Sequence, residues 1–107
     1  MTLTRLETLA HAIRSKRTVS FIYDDRTRIV EVHAVGNSTK DGSVVMRGFQ
    51  VAGESSRPLP AWALYTIAKM DALTLLAFPD SEAPRPGYKM DDKQMSSIIA
   101  QIELETV

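Results

Sequence analysis

The alternation of apolar and polar positions divides the chain into a helical start, a long stretch of strands and a helical end. Leu6, Leu9, Ala10 and Ile13 recur at the i, i+3, i+4, i+7 spacing of a single buried helical stripe. Thr4 followed by Glu7 matches a capping box, and Arg14, Lys16 and Arg17 place positive charge where the helix dipole ends. The pattern predicts a helix over about 4–16.

The period then shortens. Thr18–Tyr23 is rich in β-branched and aromatic residues, and Asp24-Asp25-Arg26-Thr27 is a polar turn. From Arg28 to Val35 the alternation puts Val30, Val32 and Ala34 on one face and Glu31 and His33 on the other, which predicts a β-hairpin. A second turn ends in Asp41-Gly42, and a third strand is expected over 43–51. After a Ser- and Pro-containing loop over 53–60, residues 61–67 read as a strand with Trp62, Leu64 and Thr66 opposite Ala63, Tyr65 and Ile67. Residues 72–78 read as a further strand, and 79–87, with three prolines, as a loop. Met95, Ile98, Ile99 and Ile102 then return to helical spacing behind Asp91 or Asp92, which predicts a second helix over 91–103.

The fold class expected from this order is α+β. A helix leads into four or five strands joined by short turns, hence a small, strongly bent antiparallel sheet, and a C-terminal helix closes the chain. A length of 107 residues suits one domain covering 1–107.

Composition narrows the function classes. With no cysteine, disulfides, thiolate nucleophiles and Cys-based metal sites are excluded. Two histidines without a favourable ligand spacing predict no metal, and nothing in the chain implies a cofactor. No apolar run approaches membrane-spanning length, so a cytoplasmic location without membrane contact is expected. Thirteen basic residues balance thirteen acidic ones, so no broad attraction to a polyanion follows. Arg14, Lys16, Arg17, Arg26 and Arg28 nonetheless cluster around the first helix end and hairpin, where they serve either phosphates or solvent. Neither a nucleophile elbow nor a glycine-rich phosphate loop occurs, and the carboxylates are scattered, so the chain reads as a non-enzyme.

A set of short motifs carries a family resemblance. They are Ala-Ile-Arg-Ser-Lys-Arg (12–17), Val-Ser-Phe-Ile-Tyr (19–23), Arg28-x-Val30-Glu31-x-His33, Val-Val-Met-Arg-Gly-Phe-Gln (44–50) and Trp62-x-Leu64-Tyr65-x-Ile67. In order and spacing, over about 6–78, the chain resembles the WYL domain. The strand that gives the family its Trp-Tyr-Leu run reads Val45-Met46-Arg47 here, and the proline usual after the Arg-x-Val element is Val32. The resemblance implies an SH3-like (Sm-like) barrel, and the sensing half of a regulator, since the chain leaves no room for the family's N-terminal winged helix. It further implies a nucleotide, an oligonucleotide or another anion bound by Arg28, His33, Arg47, Gln50, Arg57 and Trp62, in transcriptional regulation or defence.

Each of these positions also has a structural reading. Mid-strand Arg47, followed by Gly48, marks either a face open to a ligand or an ion pair with an acid such as Glu31. His33 either donates to a phosphate or base, or bonds a carbonyl while half-buried. Trp62 and Tyr65 point to opposite faces, so one can stack on a ligand and the other belongs to the core. The alternative function is a protein-interaction adaptor that pairs with itself or a regulatory partner through the apolar face of the C-terminal helix.

Overall fold

The computed structural model describes residues 4–104. Its one α-helix, α1 (Arg5–Ser15), starts at the expected capping box, in which Thr4 and Glu7 each bond the other's backbone N–H. It ends at Lys16 in the left-handed conformation. Leu9 and Ala12 carry its buried stripe.

Six strands follow: β1 (Arg17–Tyr23), β2 (Arg26–Ser38), β3 (Val44–Gly53), β4 (Ala61–Thr66), β5 (Asp71–Asp80) and β6 (Met95–Gln101). All pairings are antiparallel, in the order β4-β3-β2-β1-β5. A 3-10 turn at Ile67–Lys69 links β4 to β5, which returns to lie beside β1. This bent sheet is consistent with a small barrel of the SH3-like type. Asp24 and Asp25, both at positive φ, form the two-residue turn between β1 and β2.

The expected C-terminal helix is not formed, and the α+β class falls with it. Residues Met95–Gln101 instead extend along β2, so the chain is a mostly antiparallel sheet with one short N-terminal helix. Two register shifts explain the misleading period. Ser38 pairs with Met95 but Asn37 with Ser97, and Gly36 pairs with Ile98 but Val35 with Ala100, so one residue is extra at each step. The first bulge, with Ser96 extra, brings Met95 and Ile98, three apart, to one face, where both join a cluster with Ala34, Val45 and Leu64. Ile99 falls on a bulge and is exposed. The two serines, poor in helix interiors, and the branched isoleucines favour the strand. Gly36 permits the pairing, because a Cβ there would strike the Ser97 carbonyl oxygen.

A third bulge corrects the alternation in β2. Val32 pairs with Gly48 and Ala34 with Arg47, which leaves His33 as the extra residue. Val30, Val32 and Val35 therefore face inward, and Ala34 belongs to the outer cluster with Val45 and Met95. The inner core joins α1 to Phe21, Met46, Tyr65 and Met70. No helix among the described residues is long and apolar enough to cross a membrane.

Candidate functional site

The six residues singled out in the sequence separate into two groups. His33, Arg47 and Trp62 belong to the outer face of β2, β3 and β4, beneath the segment between β5 and β6. Arg28 and Gln50 belong to the inner face at the end of the barrel, and Arg57 reaches that end from the β3–β4 loop.

On the outer face, Glu31 and His33 lie side by side two residues apart in β2, both almost fully buried. Arg85, from the covering segment, meets Glu31 with two N–H groups, Nε at 2.6 Å and Nη2 at 3.1 Å. The Glu82 backbone N–H donates to the same carboxylate at 2.8 Å. His33 has its tautomer fixed by its two bonds. Nδ1 lies 3.0 Å from the Glu31 carbonyl, which can only accept, and Nε2 accepts the Arg85 backbone N–H at 3.1 Å. The imidazole is therefore neutral and protonated at Nδ1. Burial holds its pKa below the usual histidine value, against the opposing influence of the Glu31 carbonyl and carboxylate. The ring sits against Trp62 and Tyr88, with centroids 4.6 Å and 5.3 Å away. The Tyr88 hydroxyl donates to the Ile102 carbonyl at 2.7 Å, and burial pushes its pKa up to about 12.

Arg47 points from β3 to the same cover. Its guanidinium engages Asp92, with Nε 2.7 Å from Oδ2, and also Gln94. The ion-pair reading of this arginine holds, with Asp92 in place of Glu31. Beside it opens a cleft of about 370 Å³ with Trp62, Tyr88 and Met90 as its apolar wall and Lys89 and Lys93 at its edge. The Arg47 charge reaches this cleft already matched by Asp92.

The barrel end is different. Arg28 is buried, with 9% of its surface exposed. Nε and Nη2 donate to the Tyr23 carbonyl at 3.4 Å and 3.2 Å, and Nη1 donates to Gln50 Oε1 at 3.3 Å. Three bonds leave two of the five guanidinium N–H groups unengaged among the described residues. No carboxylate among the described residues lies within ion-pair distance of Arg28. Gln50, also buried, orients it: its amide donates to the Ala52 and Glu54 carbonyls, so Oε1 must face Arg28 and the Tyr65 hydroxyl. Arg57 Nη2 donates to the Trp62 carbonyl at 3.0 Å from an otherwise exposed side chain. Burial raises the Tyr65 pKa, and the positive charges of Arg28 and Arg57 both pull it back. Two cations therefore act on one phenol, and neither has a carboxylate partner among the described residues.

Arg28 and His33 share no partner, because the bulge at His33 comes after Val32 and leaves the two on opposite faces. Tyr65 is the core member of the Trp62–Tyr65 pair and Trp62 the half-buried outer one. Arg85 and Tyr88 organise the outer face without having stood out in the sequence, while Glu31 stood there as a motif residue and Asp92 as a candidate helix cap. The Glu31–Arg85 and Arg47–Asp92 ion pairs span 54 and 45 residues, and among Glu31, Arg85, Tyr88 and Asp92 only Glu31 lay inside a legible strand. Among the described residues no group of three or more His, Cys, Asp or Glu side chains could hold a metal ion. No family model, curated protein or solved structure matches the chain.

Proposed function

We propose that this chain is a WYL-like sensing module, a non-catalytic domain that binds a small anionic ligand, of the nucleotide or oligonucleotide class, at the barrel end formed by Arg28, Gln50 and Arg57. One observation carries the reading. Arg28 is nine-tenths buried, has no carboxylate partner among the described residues and keeps two N–H groups unengaged. A buried cation is normally paired, and a guanidinium is built to take phosphate or carboxylate with two parallel bonds. Gln50 holds it in place, and exposed Arg57 supplies a second charge at the mouth. The motif resemblance supports the same class of ligand. Docking through a C-terminal helix has lost its element, since those residues form β6.

Titration calorimetry with mononucleotides, cyclic dinucleotides and short single-stranded DNA and RNA tests the reading. Binding is expected at low salt, weaker at high salt, and absent in Arg28→Met, while Arg47→Gln retains it. If none of these anions binds, or if Arg28→Met binds as well as the parent, the reading fails.

A further inference from the structure

The edge of β2 opposite β3 changes neighbour in mid-strand. β1 accompanies it as far as the Thr18–Glu31 pair, and β6 takes over at the Ala34–Gln101 pair. Over this seam the end of α1, the turn at 81–84 and the chain after β6 enclose a cavity of about 460 Å³. That volume is in the range of small-molecule sites. Val32 forms its floor, and Ile13, Ala83, Pro84, Ile102 and Leu104 supply apolar walls. The walls are fixed by backbone bonds. The Ser81 N–H donates to the Lys16 carbonyl at 3.0 Å, and the Ile102 N–H to the His33 carbonyl at 2.9 Å.

Polar groups interrupt this lining, of which the Gln101 amide is already bonded to Asp91. Ser81 is buried, and its Oγ accepts the Ala83 N–H at 3.2 Å, which leaves the hydroxyl hydrogen free to donate. Arg14 and Lys16 are exposed, line the same cavity, and form no ion pair among the described residues. One acid, Glu103, also lines it, so cations predominate. An apolar trough with one hydroxyl donor and a positive lip complements an apolar chain with an anionic head.

We propose that this seam is a binding site for an amphipathic monocarboxylate, a linear acyl chain of medium length. The chain lies on Val32 between Ile13 and Ile102. The carboxylate accepts the Ser81 hydroxyl and faces Arg14 and Lys16. The site shares β2 with the Arg28 barrel end but none of its three proposed anion-binding residues, and it stands or falls independently of the function proposed there.

Calorimetry with hexanoate, octanoate and decanoate, and with octanol, tests it on the whole chain. Each two-carbon extension is expected to tighten binding about tenfold, as burial of two methylenes implies. Octanol is expected to bind about tenfold more weakly than octanoate, for want of the charge-assisted contacts. Methyl NMR signals of Ile13, Val32 and Ile102 should shift on titration. The double variant Arg14→Gln, Lys16→Gln should bring octanoate down to the octanol level. Equal binding of octanol and octanoate, affinity independent of chain length, or shifts confined to Leu64 and Val45 on the other face would each overturn the assignment. The head-group comparison uses the unaltered chain, so it decides the question even if the double variant misfolds.

Discussion

Arg85 Nε lies 2.6 Å from Glu31 Oε1 and Nη2 lies 3.1 Å from Oε2, so one guanidinium fastens the segment between β5 and β6 to the middle of β2. The Glu31 carboxylate keeps only 3% of its side-chain surface exposed and depends on this partner. Arg85→Ala leaves a buried carboxylate with the Glu82 N–H as its one remaining bonded partner among the described residues. We expect a loss of about 2–3 kcal/mol, less than the full penalty for a deeply buried pair because Arg85 is a quarter exposed. Glu31→Gln should cost less, since an amide oxygen still accepts the Glu82 N–H. Urea unfolding of the two variants measures both the size and the order.

His33 sets a pH limit on the same attachment. Its folded pKa is depressed, by burial first and by Arg85 in addition, while the unfolded chain titrates near the ordinary value of about 6.5. The unfolded state then binds the proton first as pH falls. The stability contributed by neutral His33 is therefore complete above about 6.5 and is lost as pH drops through the depressed folded value. Protonation at Nε2 also removes the acceptor of the Arg85 N–H. An NMR pH titration should show the imidazole still neutral below 6.5, followed by exchange broadening at Arg85 and Tyr88. An imidazole titrating at or above 6.5 would sink this account.

Much of this fold was legible because its early elements are locally determined. The Thr4–Glu7 box, the α1 stripe and the strand runs from Arg17 to Thr66 declare themselves within short windows. What could not be read were the bulges, which are set by pairing rather than by local sequence. The extra residue at His33 moves Ala34 outward and Val35 inward, and the one at Ser96 in β6 gives Met95 and Ile98 a helix-like interval. The candidate site was hidden for a related reason. Arg47 and Arg28 look alike in sequence, and only the fold brings Asp92 to the first and, among the described residues, no carboxylate to the second.

The closeness of β6 to β2 at Gly36 yields a packing prediction. A methyl group there meets the Ser97 carbonyl oxygen and also the Met95 side chain. Backbone cannot yield as a side-chain tip can. Gly36→Ala should therefore cost about 2 kcal/mol and selectively raise amide exchange at Ser97 and Ile98. Uniform exchange across all six strands would show that the strain is not local to β6.

The β1–β2 turn points the other way. Asp24 and Asp25 both take positive φ, at 52° and 59°, in a two-residue turn whose second position favours glycine. Asp25→Gly relieves a left-handed side-chain residue at little entropic cost, so a gain of about 0.5–1 kcal/mol is expected. Thermal melts should register it as a rise in Tm.

Arg28 offers the sharpest separation of stability from binding. With two N–H groups unengaged and no carboxylate partner among the described residues, it is a buried charge that three long hydrogen bonds only partly compensate. Arg28→Met keeps much of the apolar volume and removes that charge. Gln50 Oε1 retains the Tyr65 hydroxyl as a donor, while the Tyr23 carbonyl loses its guanidinium partner. The desolvated charge outweighs these three long hydrogen bonds, so the variant should match the parent or exceed it by about 1 kcal/mol. It should at the same time lose anion binding and its salt dependence. The parent, by contrast, should gain stability when anion is added, in proportion to the logarithm of ligand concentration above its Kd. A fall of about 2 kcal/mol or more in Arg28→Met, with no stabilisation of the parent by any anion, would make the residue a structural strut of the barrel end and nothing else.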